Sequence, residues 1–156
     1  MISPLFDERW TAYTETVVRI DHPTIGRIVV TPEPSGRTQG LFPHESGRPI
    51  HVMTAHNPGR ALSARENEQR QRQLLAGLEQ QGDLEIWDAV GADVSWTHQE
   101  QSLAIIGLTD DDAREVARTF DQDAIFAWTP ARWNLLSCID DRTWHAGWTL
   151  TPERAA

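Results

Sequence analysis

The chain has no lysine; all 14 of its basic residues are arginine, set against 23 acidic ones. A formal charge of -9 repels a phosphate backbone at long range, so DNA or RNA is not an expected partner. The lysine-free composition reads as a coding bias towards GC rather than a functional signal. With one cysteine, Cys138, no intramolecular disulfide can close, and no basic-then-apolar leader opens the sequence. A reducing, cytoplasmic location is therefore expected. No apolar run approaches the roughly 20 residues that cross a bilayer, so no membrane association is expected.

What is present is enough for one domain. A chain of 156 residues can bury a core without disulfides or metals, and residues 1–156 read as a single unit. Residues 1–48 hold an amphipathic stretch (6–13) and two apolar alternations (16–20 and 27–30), which suggest a hairpin around His22 and Pro23. A Pro-, Gly- and Ser-rich irregular connection follows at 31–48.

Residues 49–150 are more regular. A strand at 50–54 is broken by the turn chemistry of 55–59, and a helix follows. Ser63 with Glu66 three residues on fits a capping box, and Gly82 suits the position past the helix end. Leu74, Leu75 and Leu78 give this helix a buried side. Strand 84–90, a polar connection at 91–101, and the almost wholly apolar strand 102–108 come next; the last suits a strand covered on both faces. Thr109 caps a second helix, with Asp110, Asp111 and Asp112 in its first turn. Strands are expected at 124–128 and 133–138, and 143–150 reads as an edge.

The order strand, helix, strand, strand, helix, strand between Ile50 and Trp128 predicts an α+β fold with a ferredoxin-like split β-α-β core. The N-terminal hairpin and C-terminal strands would be additions to it. That topology carries the chain past one end of the sheet at 55–62, 91–101 and 121–123. The polar residues of these passages define a candidate site. Asn57, Arg60, Gln101 and Gln122 are assigned to ligand binding. Asn67 joins them, because it lies seven and eleven residues before Leu74 and Leu78 and so shares their helix face.

Glu100, His56 and His98 are the groups able to carry protons. Three chemistries fit these residues. The helix start could bind an anionic or nucleotide-like ligand with Arg60 as counter-charge, although the capping box would occupy its amides. The proton carriers could serve acid–base catalysis, yet no nucleophile elbow, phosphate loop or zinc-protease motif is present. His98-x-Glu100 with His56 lacks usual metal-site spacing, so no metal is assigned. His22, His44, His51 and His145 read as ordinary residues, Cys138 as core, and Arg60, Arg65, Arg70 and Arg72 with Glu66 and Glu68 as a mixed-charge helix face.

The same segments carry a family resemblance. Thr54-Ala55-His56-Asn57-Pro58, Glu66-Asn67, Glu100-Gln101-Ser102 and Phe120-Asp121-Gln122-Asp123-Ala124 together resemble the bacterial family called domain of unknown function 3293, over roughly 13–148. Family members often have Gly where this chain has Asp121, a residue that also tolerates the left-handed conformation. The family is uncharacterised, so the resemblance implies neither a reaction nor a cofactor.

The function expected is small-molecule binding, with catalysis left open and the cofactor and oligomeric state unassigned. The alternative is a non-enzymatic protein-interaction or regulatory module using a Trp-rich surface, since Trp128, Trp133, Trp144 and Trp148 crowd the C-terminal third.

Overall fold

The computed structural model describes residues 4–153. Helix α1 spans Pro4–Thr14, and β1 (Val17–His22) and β2 (Gly26–Glu33) form an antiparallel hairpin. A short β3 (Thr38–Gln39) precedes β4 (Ile50–Met53), after which come α2 (Ala64–Gln81), β5 (Glu85–Ala92) and β6 (Gln99–Ile106). Helix α3 (Asp110–Thr119) leads to β7 (Ala124–Trp128), β8 (Trp133–Ser137) and β9 (Thr143–Pro152). None of these helices is long and apolar enough to cross a membrane.

The expected ferredoxin-like core is overturned. Neighbouring strands run β2-β1-β5-β6-β4-β7-β8-β9, and β9 pairs back onto β2, so eight antiparallel strands close into a barrel. The two helix-bearing crossovers and the order β5-β6-β4-β7 do occur, but only as one arc of that barrel. An open sheet would have ended at β5 and β7. Instead β1 pairs with β5 through Val18↔Gly91, and β8 pairs with β7 through Trp128↔Trp133. The N-terminal hairpin and C-terminal strands are thus staves of the barrel, not additions. Strand β9, read as an edge, is flanked by β8 and β2. Closure leaves these strands no free edge to pair with another chain.

Alternation along each strand sorts the core into two layers. The barrel interior is filled by Val18, Ile20, Ile28, Val30, Ile50, Trp87, Ala104, Trp128, Trp133 and Trp148, among others. The second layer lies outside the barrel, where Met53, Leu103, Ile105, Ile125 and Ala127 face Leu74 and Leu78 of α2 and Ala113 and Ala117 of α3. This explains the continuous apolar run of β6: Ala104 and Ile106 point in, Leu103 and Ile105 point out. Both helix starts are capped as read. Ser63 Oγ accepts from the Glu66 amide in a complete capping box, and Thr109 Oγ1 accepts from the Asp112 amide.

One glycine is dictated by close approach. A Cβ on Gly147 would lie 2.0 Å from the Arg37 carbonyl oxygen, because the segment leading into β3 is laid over β9 there. That carbonyl accepts from the Trp148 amide, so a side chain at 147 would break the seam.

Candidate functional site

The interior of the barrel is unevenly filled. Towards one end the inward residues are large, with Trp128 against Trp133 at 6.0 Å and against Trp148 at 5.2 Å between ring centroids. Towards the other they shrink to Thr16, Gly91, Ser102 and Ala124, leaving a cavity of about 570 Å³ at the barrel mouth. An eight-stranded barrel is about wide enough to be filled by side chains or to hold one small ligand, and side-chain size decides which. Val52, Phe126 and Leu135 supply apolar wall, and Phe126 stacks on Trp133 at 5.0 Å.

Helix α1 lies beside the opening and contributes Arg9, Ala12 and Tyr13 to the lining. It is anchored by the Arg9–Asp123 ion pair and by Arg142, which bonds Asp7 Oδ1 at 3.0 Å and sits over the Phe6 and Trp10 rings. Burial, helped by the charge of Asp123, pushes the Tyr13 phenol up to about 12, so its hydroxyl keeps its proton at neutral pH.

The turn after β4 forms another part of the wall, and α2 shapes it. Asn67 Oδ1 accepts from the Asn57 amide at 2.9 Å, while Asn67 Nδ2 donates to Asn57 Oδ1 at 2.9 Å. One turn on, Gln71 Oε1 accepts from the Ala55 amide, and the Arg70 guanidinium donates to the carbonyls of Ala55 and Phe120. Arg70 is therefore a clamp inside the fold rather than part of a solvated charge face. So held, Asn57 adopts a left-handed backbone, φ 44°, which Asn tolerates better than most residues. Its side chain then donates through Nδ2 to Glu100 Oε1 at 3.0 Å and accepts the Leu62 amide at 3.1 Å.

Glu100 enters the cavity from the start of β6, opposite Gly91 of β5. Burial raises its carboxyl above the ordinary value, and the Asn57 amide pulls it partly back. Gln122 Nε2 donates to the carbonyls of His56 and Phe120, an arrangement supported by the adjacent Asp121 at φ 57°.

Asn57, Arg60, His98, Glu100 and Gln122 all line the one cavity, and Asn67 stands behind Asn57. Besides Asn67, two more of the sequence-selected side chains do not line it. Gln101 follows Glu100 in the strand, so it faces the other way and donates to the Ala89 carbonyl. His56 contributes its backbone carbonyl to Gln122, and burial lowers its imidazole below the usual value. Among the described residues no group of three His, Cys, Asp or Glu is gathered that could hold a metal ion. Tyr13, Arg9 and Phe126 were not selected from the sequence. The amphipathic stretch at 6–13 falls within α1, but nothing local said that it would reach the far strands.

Residues 53–125 match the family described as Protein of unknown function (DUF3293). This match supports the family resemblance read from the motifs. The matched DUF3293 segment runs from the end of β4 to the start of β7 and is shorter than the 13–148 span of the resemblance. It contains Asn57, Asn67, Glu100 and Gln122, whereas α1, with Arg9 and Tyr13, lies outside it. No curated protein and no solved structure matches the chain.

Proposed function

We propose that this protein binds a small organic molecule in the mouth of its barrel. One observation carries the reading: the Asn57–Glu100 pair is built into the wall of a cavity of about 570 Å³ whose remaining lining includes Val52, Phe126 and Leu135. Ligand sites are typically concave and largely apolar with a few placed polar groups, and barrel mouths are among their usual locations. The interaction-module alternative draws no support from Trp128, Trp133 and Trp148, which are sealed inside the barrel. An anion held by the start of α2 is also disfavoured, because Ser63 takes the amide of Glu66 and Asn57 that of Leu62. Catalysis by Glu100 stays open within this reading, with a shifted carboxyl at a cavity as its physical rationale. The net charge of -9 and the lone Cys138 support a cytoplasmic setting without nucleic-acid partners.

A thermal-shift screen of nucleotides, sugars, amino acids, amines and divalent metals tests the proposal. Gly91→Val serves as the blocking variant, since a Cβ at Gly91 meets only ordinary contacts at 3.7 and 3.8 Å and the added methyl groups would occupy the cavity. Ligands acting in the barrel mouth raise the melting temperature of the parent and fail to do so for Gly91→Val. Equal stabilisation of both proteins by every hit overturns the assignment.

A further inference from the structure

Resting on that cavity reading, we propose that the ligand is an organic ammonium, a primary amine on a partly apolar body whose charged head lies on Glu100. Glu100 Oε1 accepts from Asn57 Nδ2, and no ion pair reaches the carboxylate among the described residues. Arg9 is paired with Asp123, and Arg60 lines the same cavity without bonding Glu100. A shielded carboxylate is costly unless a cation or several donors compensate it, and the protein supplies one neutral amide.

The surrounding groups favour a donor-bearing cation. Gln122 spends its Nε2 on the His56 and Phe120 carbonyls, which leaves its Oε1 as the acceptor end of the amide. Ser102 Oγ donates to the Glu100 backbone carbonyl and so retains acceptor capacity towards the cavity. Glu15 and Asp93 add negative charge to the lining, and Tyr13 and Phe126 bring aromatic rings, a group that attracts cations, to the same wall. An ammonium has three donors and no acceptor, which suits this set. A bare divalent metal does not, because among the described residues no three His, Cys, Asp or Glu side chains are gathered to hold one. An anion would have Arg60 as its principal attraction and Glu100 as a repulsion.

The test uses the full chain and three probes with one body and different heads: phenethylamine, phenethyl alcohol and 3-phenylpropionate. Binding is followed by NMR through the backbone amides of Gly59, Gly91 and Ser102. The amine is expected to bind at least tenfold more tightly than the alcohol or the acid. Glu100→Gln keeps an acceptor for Asn57 and removes the charge, so it is expected to abolish that preference. Glu100→Ala provides a second variant if the glutamine form does not fold.

Tighter binding of 3-phenylpropionate overturns the ammonium proposal and leaves the cavity reading standing. An amine preference that survives both Glu100 variants also overturns it. If none of the three probes moves these amides, the ammonium proposal fails; the cavity reading then falls separately only if Gly91→Val behaves as the parent towards every hit of the broader screen.

Discussion

The side-chain amide of Asn57 donates to the Glu100 carboxylate at 3.0 Å, tying the turn after β4 to the start of β6. Asn57→Ala removes this bond and strands the Leu62 amide and the Asn67 carboxamide. It also places Ala at φ 44°. Leaving buried donors without partners costs about 1–3 kcal/mol, so urea denaturation should show a loss of about 2 kcal/mol. The Glu100 carboxyl, freed of the amide that lowers it, should titrate higher still by NMR.

Glu100 itself sets a pH dependence. Its folded value lies above the unfolded one, so the folded state binds more protons, and stability falls as pH rises from the unfolded value through the folded one. Glu100→Gln has no such group. Its stability relative to the parent should therefore increase between pH 4 and neutrality, with no relative change at lower pH, as measured by urea midpoints.

His51 works in the opposite direction. Its side chain is fully buried on the outer face of β4, with Nε2 on Asp110 Oδ1 at 2.7 Å and Nδ1 without a hydrogen-bond partner among the described residues. Burial lowers its value despite the Asp110 carboxylate. The folded state thus resists protonation, and stability present above the ordinary imidazole value is lost as pH falls below it. Half-buried His56 adds a slope of the same sign. His51→Gln should flatten the decline between pH 7 and pH 5 in denaturant titrations.

Gly147→Ala places a methyl group on the Arg37 carbonyl. Overpacking of this kind costs typically 1–3 kcal/mol, so a loss of about 2 kcal/mol is expected by thermal denaturation. Amide exchange at Trp148, which donates to that carbonyl, should accelerate by a larger factor than exchange in β6.

What was legible in the sequence was what neighbouring residues decide. The Ser63–Glu66 box, the Thr109 cap and the two-faced apolar run of β6 are local signals, and each marks an element found there. Asn67 was legible through its phase with Leu74 and Leu78 in one helix. Barrel closure was not, because the Ile28↔Pro152 and Val18↔Gly91 pairings join segments far apart in the chain, and alternation names a strand without naming its neighbours. The same limit hid Tyr13 and Arg9, whose place beside the cavity depends on where the barrel puts its mouth. Arg70 was misread because a charged side chain on a helix surface looks the same in sequence whether it faces water or clamps two carbonyls.

The pairing of β9 with β2 also governs how the molecule must be assembled. Until Thr143–Pro152 has arrived, Gly26–Glu33 and Trp133–Ser137 each present an unpaired border, so a growing polypeptide stays sticky until that strand has been made. Contacts of such long sequence separation slow folding, which makes zipping that final seam the natural commitment step and shortened chains the forms most prone to clump.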